Sequence, residues 1–338
     1  MKLSSHALAM LIRAYSAVLK NARLSTLMAA TVLTAAVAVP AQAETLTFNG
    51  TQSVQDYINR ADVIAHNSAE ETEGTNEISQ KEPNGVINLS GTIDFTKIKW
   101  KVPGSCTGDD ESKYNFTGFM ANSIDANSGY AEANPINREG GVINIAAGSK
   151  LIGTNYNFMV NEDGGKGRSQ LRGVAVFDDG DIGGYSATLK NSKIDVKENV
   201  EIDNMEITGT LLSIGETEKP ITGSVNGSIS FADSTSGSLI KHSAIVGAVV
   251  AQNDPTDVKY DIDSVGSVYI GKNVAYQGTN GGHFDYTLDD VDYDTIIGAI
   301  NTAGGSATGT ITINGSVTDA VNNNLKLIHF LLFSPSEN

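Results

Sequence analysis

The chain has little of what cross-links a fold or builds a thiolate metal site. Its 338 residues include one cysteine, Cys106, one tryptophan, Trp100, and only seven prolines. A single cysteine excludes an intramolecular disulfide, and it argues equally against a thiolate zinc site. The fold must therefore be stabilised by packed secondary structure rather than by the disulfides that support many small domains.

Positive charge is also scarce. Lys and Arg number 23 against 39 Asp and Glu, which gives a formal net charge of −16. Nucleic acids and anionic membrane surfaces are bound by basic patches, so this balance argues against both as partners. We expect no nucleic-acid partner.

Familiar catalytic motifs are missing as well. The sequence has no Gly-x-Ser-x-Gly elbow, no phosphate-binding P-loop and no dinucleotide fingerprint, and its five histidines stand in no recognisable relay. We therefore predict a protein that is not an enzyme, with no catalytic residues and no cofactor.

The first 43 residues have the composition of a secretory signal. Four basic residues and no acidic ones lie in residues 1–43, and the apolar run Leu24–Val39 ends at Pro40. Ala41-Gln42-Ala43 then supplies small residues for cleavage before Glu44. The alternative is an N-terminal membrane anchor, but the run is short for a bilayer and rich in alanine and threonine. The sequence predicts cleavage between Ala43 and Glu44 and export through the inner membrane.

What the chain has in abundance is glycine, and five glycines begin the same short pattern. Apolar residues stand two and four positions after each of them, and this spacing puts both side chains on one face of a strand. The five segments are Gly85 with Ile87 and Leu89, Gly141 with Ile143 and Ile145, Gly227 with Ile229 and Phe231, Gly266 with Val268 and Ile270, and Gly309 with Ile311 and Ile313. The last three glycines are 39 and 43 residues apart. We interpret each spacing as about two coils of roughly 20 residues.

These patterns predict an all-β fold, a right-handed parallel β-helix, with an antiparallel β-sandwich as the alternative. We divide the chain into the signal peptide 1–43, an N-terminal region 44–84, a β-solenoid 85–318 and an atypical tail 319–338. The N-terminal region holds a strand, an amphipathic helix over Ser53–His66 and a loop, and the helix is expected either to cap the solenoid or to lie on its surface. The apolar run Leu325–Phe333 in the tail is either a strand on the last coil or the product of a truncated reading frame.

One acidic segment is a weak candidate for chemistry. Asp290, Asp292 and Asp294 alternate with other residues, so a strand would place the three carboxylates on one face. Such a set could bind Ca²⁺ through oxygen ligands, or supply an acid–base pair for glycoside cleavage. The simpler interpretation, which we favour, is a solvated acidic face.

Other candidates lack necessary parts. Asp178-Asp179-Gly180-Asp181 is similar to the paired aspartates of β-helical polygalacturonases, but the accompanying Gly-His-Gly and Arg-Ile-Lys motifs are absent. Residues 164–167 begin like a calcium-binding nonapeptide repeat, yet Ser169 stands where aspartate is needed. His283 is interpreted as a loop residue. Three tyrosines are expected to be exposed and able to stack on sugars or partner chains: Tyr130, Tyr156 and Tyr276.

The signal ending in Ala41-Gln42-Ala43, the acidic cysteine-poor body and the glycine-led strands together resemble the passenger region of bacterial autotransporters (type V secretion). The resemblance is one of style, without an invariant motif, and covers Glu44–Ser316. It implies a β-helical stalk on the outer membrane of a Gram-negative cell, acting as an adhesin or carrying an enzyme. The C-terminal membrane barrel of that family does not follow Ser316, which implies a separate or missing translocator.

Three functional hypotheses follow from this interpretation. The first is a non-catalytic adhesin or aggregation protein that binds glycans or proteins of host or bacterial surfaces through its solenoid face. The second is a secreted polysaccharide lyase or glycoside hydrolase, since β-helices are a known scaffold for both. The third is a truncated remnant of a longer autotransporter.

Overall fold

The computed structural model describes residues 45–60, 77–80, 82–99, 116–125, 136–157, 166–178, 185–215, 220–252, 260–278, 294–319 and 327–332. All of them belong to one compact unit within Ala43–Asn338. Within these ranges the chain is dominated by strands. They hold one α-helix, α1 (Gly50–Ile58), and a single 3₁₀ turn, Phe95–Lys97.

The strands form three sheets, which we call A, B and C. Sheet A contains β1 (Thr45–Asn49), β3 (Gly85–Ser90), β6 (Ile136–Ile145), β10 (Ser186–Val196), β13 (Thr222–Phe231), β16 (Asp261–Ile270) and β19 (Gly305–Ile313). Sheet C contains β4 (Thr92–Asp94), β7 (Lys150–Ile152), β11 (Glu201–Asp203), β14 (Ser238–Lys241), β17 (Val274–Gly278) and β20 (Ser316–Asp319). Sheet B contains β2 (Glu77–Ser79), β5 (Gly118–Asp125), β9 (Lys166–Asp178), β12 (Met205–Ile214), β15 (Ala244–Gln252), β18 (Thr295–Asn301) and β21 (Leu327–Leu332), with β8 (Asn155–Asn157) beside β9.

The chain visits sheets A, C and B in that order in each coil, and each strand pairs with its equivalent in the next coil. Within the described ranges every such pairing is parallel, and only β8 runs antiparallel to its neighbour β9. The fold is therefore a parallel β-helix, which confirms the prediction from the sequence. The parallel pairing excludes the antiparallel sandwich. The apolar run near the end of the chain forms β21, which pairs with β18.

The five predicted glycine anchors lie in one column of sheet A. Gly85 pairs with Gly141, and Gly227, Gly266 and Gly309 follow in register, with Ser192 taking the place of glycine in the fourth coil. The prediction of about two coils per 39 or 43 residues is wrong. Each spacing is a single coil, because every coil after the first contains three strands and their corners rather than one short strand and a turn.

The side chains two and four positions beyond each anchor point inward and stack into columns. Their exposed fractions are 0–1 % in the inner coils. The first column contains Ile87, Ile143, Ile194, Ile229 and Val268, and the second contains Leu89, Ile145, Val196, Phe231 and Ile270. Burial of each such side chain contributes about 2 kcal/mol, so these columns are the main stabilising feature of the helix.

A second glycine column lies in sheet B and faces the first. Its members are Gly173, Gly209, Gly247 and Gly298. The residues before and after each of these glycines pair in register with those of the neighbouring strands. A Cβ atom on Gly247 would lie 2.7 Å from the backbone nitrogen of Ser267, and one on Gly266 would lie 2.6 Å from that of Ala248. The two sheets therefore touch backbone to backbone, which no larger residue would permit.

This contact divides the interior into two cores. The first lies between all three sheets and continues through every coil. The second lies only between sheets A and B, on the far side of the two glycine columns. The strands of these two sheets are long enough to face each other there. It includes Leu189, Val225 and Ile262 from sheet A and Leu212 and Val250 from sheet B.

The helix α1 takes the place of the sheet C strand in the first coil. The sequence predicted a helix over Ser53–His66, but α1 begins at Gly50 and ends at Ile58, and residues 61–66 lie outside the described ranges. The Thr51 hydroxyl donates to Thr92 O (3.1 Å) and accepts from Asp94 N (2.8 Å), and the Gln55 amide bonds both N and O of Lys99. Helix side chains thus satisfy backbone groups at and just beyond the edge strand β4. Within the described ranges, no helix has the length and apolar character needed to cross a membrane.

Candidate functional surface

The three sheets present very different outer faces. Sheet B is buried on both faces: all ten residues of β12 and all seven of β18 are buried. Buried apolar residues of its outer face include Leu211, Val246 and Ile297. Sheet B therefore offers little surface for a partner, whereas sheets A and C carry alternating exposed residues.

Sheet B instead holds a buried ion pair that spans several coils. An Nη1 atom of Arg168, at the start of β9, lies 2.9 Å from Oδ1 of Asp294, which is 126 residues away, and donates also to His242 O at 2.9 Å. The side chains are 7 % and 1 % exposed. The corners before β12 and β15, in the two coils between Arg168 and Asp294, are only one and two residues long. Burial raises the pKa of Tyr276 well above its ordinary value, and the Asp294 carboxylate raises it further.

A second buried pair lies nearby on the same face. Arg172 and Glu206 approach to 3.5 Å with side chains only 6 % and 3 % exposed, and the Thr208 hydroxyl donates to the same carboxylate at 3.2 Å. Sequence reasoning did not find these residues. The available signal was the presence of charged side chains inside strands that are otherwise apolar.

Of the three alternating aspartates Asp290, Asp292 and Asp294, only Asp294 lies in the described ranges. Its carboxylate is buried and bound to Arg168, while Asp290 and Asp292 fall outside the described residues. Where the structure describes the chain, no group of three or more His, Cys, Asp and Glu is placed to hold a metal ion. The calcium or acid–base set remains a prediction, but the favoured interpretation of a solvated acidic face is wrong for Asp294, whose side chain is 1 % exposed and paired with Arg168.

Asp178 is likewise part of a buried contact. Tyr185 donates to its Oδ2 atom at 2.9 Å, and burial together with this carboxylate raises the pKa of Tyr185. Asp179 and Asp181 lie outside the described residues, as do His283, Gly164 and Gly165 and the predicted cleavage site at Ala43 and Glu44. Ser169 bonds the backbone of Thr154.

The prediction that Tyr276 is exposed is wrong. Its side chain points into the first core with 0 % exposure, and its hydroxyl donates to Ser243 O. The alternation in β17 fixes which residues share a face, and Tyr276 shares the inward face with Val274. Tyr130 is outside the described residues, and Tyr156 lies in β8.

Sheet C carries a ladder of opposite charges on its outer face. Lys150 lies 2.9 Å from Glu201, which is 3.3 Å from Lys241, and Lys241 is 3.5 Å from Asp203. The hydrogen bond from Lys150 holds the pKa of Glu201 below its usual value. These charges neutralise one another within the face.

Sheet A has a polar outer face that changes along the axis. In the first coils Asn144 donates to Asn88 at 2.9 Å, and Asn88 donates to Thr47 at 3.3 Å. In the last three coils the corresponding outward positions carry hydroxyls, which we call the hydroxyl face: Ser228, Ser230, Ser267, Tyr269, Thr310 and Thr312. Parallel pairing repeats these groups about every 4.8 Å across strands and about every 6.6 Å along them.

Searches of protein-family models, of curated proteins and of solved structures found no match to this chain, so its function has to be argued from the geometry described above.

Proposed function

We propose that the chain is an exported β-solenoid that binds surface ligands through the hydroxyl face, without catalysing a reaction. The observation that carries the proposal is the regular array of uncharged hydroxyls on the outer face of sheet A in a strongly acidic chain. Hydroxyls both donate and accept hydrogen bonds, and a rigid array of them suits a ligand that is itself rich in hydroxyls. Glycans of host or bacterial surfaces are the class that this chemistry favours.

The exposure of the array supports this assignment. Ser267, Thr310 and Thr312 are exposed, and the Tyr269 ring stands beside them with its hydroxyl fixed by Asp233 at 2.9 Å. An aromatic ring with an ordered polar tip is a common contact for sugars, because its body is apolar and its hydroxyl is polar. The other accessible face, on sheet C, has its charges paired internally.

The N-terminal sequence supports a location outside the inner membrane. A signal peptide over residues 1–43 would direct the chain through the inner membrane, and the acidic body keeps it soluble there. We place it on the cell surface, as an autotransporter-like passenger that depends on a separate translocator of the outer membrane.

Three negative charges on the hydroxyl face should weaken this binding. We expect the triple variant Ser267→Glu, Thr310→Glu, Thr312→Glu to weaken binding to a glycan array and to host or bacterial cells by about tenfold or more, equivalent to ~1.4 kcal/mol. A matched control carries three glutamates in the same coils but on sheet C: Gln277→Glu, Ser316→Glu, Thr318→Glu. The control should bind like the wild type. Equal loss in both variants, or unchanged binding in the first, would contradict the proposal.

A further inference from the structure

The two ends of the first core differ. At the N-terminal end the inward residues of β1 are covered: Leu46 is 7 % and Phe48 is 2 % exposed, and Phe48 packs edge-on against Tyr57 of α1 at 5.4 Å. At the C-terminal end the inward residues of the last coil remain partly exposed. Ile311, Ile313 and Val317 are only half-buried, although their equivalents one coil earlier, Val268, Ile270 and Tyr276, are at most 1 % exposed.

The strand at this end, β19, lacks the usual protection of an edge. Among the described residues it is the last strand of sheet A. Its sequence from Gly305 to Ile313 contains no charged residue and no proline, and threonine alternates with isoleucine at its end. Natural edge strands normally carry lysine, proline or an inward charge that prevents pairing with another chain.

Among the described strands none pairs with the outer edge of β19, and the backbone groups that point to this edge belong to a defined set of residues. Asn314 N bonds Ile270 O in β16 at 2.8 Å, so even-numbered residues of β19 bond backwards to β16. In a parallel ladder alternate residues bond opposite neighbours, so the N–H and C=O groups of residues 307, 309, 311 and 313 point away from β16. These same residues carry the inward side chains.

We propose that a second copy of this chain pairs with the edge of β19, antiparallel, around a two-fold axis at Gly309. This register places odd residues opposite odd residues, so the free backbone groups of both strands meet. It sets Ile311 against the partner's Ala307 and Ile313 against the partner's Gly305, large side chains against small ones, on the shared inward face. Thr310 stands opposite the partner's Thr308 on the outer face.

Two features favour this occupant over a head-to-tail array. In the described part of the N-terminal end, Leu46 and Phe48 are already buried and α1 packs against Phe48, so these residues offer no exposed apolar rung to the other end. Two C-terminal ends, by contrast, cover the half-buried isoleucines of both chains in a closed, isologous contact. Because β19 is uncharged, two acidic chains can also approach here without placing like charges opposite one another.

A charge-swap experiment tests the register. The outward positions 308 and 310 face each other twice in the dimer, so Thr308→Lys with Thr310→Lys sets like charges directly opposite and should raise the dimer dissociation constant by about tenfold or more. A variant chain that carries both Thr308→Lys and Thr310→Glu sets opposite charges against each other in its homodimer. It should restore the wild-type dissociation constant. Both threonines are exposed, so neither variant disturbs the core. The measurement is sedimentation equilibrium of the mature chain, with circular dichroism to show that both variants fold.

The possible results distinguish the two-fold pairing from its alternatives. A wild-type dimer that the double-lysine variant weakens and the lysine–glutamate variant restores supports the two-fold pairing. A monomeric wild type, unlimited oligomers, or equal effects of the two variants would overturn it. The inference does not rest on glycan binding, because self-association is measured without any ligand.

Discussion

Replacing Gly266 with alanine is expected to lower the free energy of unfolding by about 3 kcal/mol or more. The added Cβ would lie 2.6 Å from Ala248 N and 2.8 Å from the carbonyl carbon of Gly298, so the collision is with backbone of the opposite sheet. A side chain could rotate away, but two hydrogen-bonded sheets cannot separate at one point without losing contacts in the neighbouring coils. Urea denaturation followed by circular dichroism measures the effect.

Gly148 provides the control for this substitution. Nothing lies within 4 Å of a Cβ at Gly148, although its φ of +72° disfavours alanine. Gly148→Ala should therefore cost only the strain of a left-handed backbone, about 1 kcal/mol. If the two variants lose equal stability, the close contact between the glycine columns is not what requires glycine at position 266.

Removal of the Asp294 carboxylate should be similarly damaging. Asp294→Ala leaves the Arg168 guanidinium buried without its charged partner, and breaking a buried ion pair in this way costs about 3–5 kcal/mol. Because the pair joins the third coil to the sixth, we expect the loss to appear as cooperative destabilisation of the whole solenoid rather than as fraying of one end. Denaturant unfolding monitored at the backbone measures both the midpoint and the slope.

Two comparisons isolate the cause. Combining Arg168→Met with Asp294→Ala removes both charges and should recover a large part of the lost stability. Glu201→Ala breaks only the partly exposed ladder on sheet C, and should cost less than about 1 kcal/mol. Asp294→Ala behaving like Glu201→Ala would show that the buried pair has no special role.

The sequence predicted the strands in which buried and exposed residues alternate. In β6, Ile143 and Ile145 stand two apart after a glycine, and only a strand with one buried face produces this pattern. It could not predict that sheet B is buried on both faces, because β15 is an almost continuous apolar run in which no single buried face can be recognised. The predicted coil length was too short, because the sheet B strand, one third of each coil, was not identified as a strand equivalent to the others.

The buried polar contacts lay beyond the sequence for a different reason. Asp294 was singled out by its spacing from two other aspartates, but its partner Arg168 is 126 residues away and is brought near only by the stacking of coils. Local spacing carries no information about such a pair. Tyr276 shows a related limit, since alternation groups it with Val274 but does not say which face of the strand is inward.

The proposed function requires the chain to act outside the cell that makes it. The most direct test is to purify the protein from intact producing cells, determine its N-terminal sequence, and stain unpermeabilised cells with an antibody against the solenoid. We predict a mature chain that begins at Glu44 and staining of the intact cell surface. A chain that retains Met1 and is stained only after the cells are opened would contradict both the export and the surface-binding function proposed here.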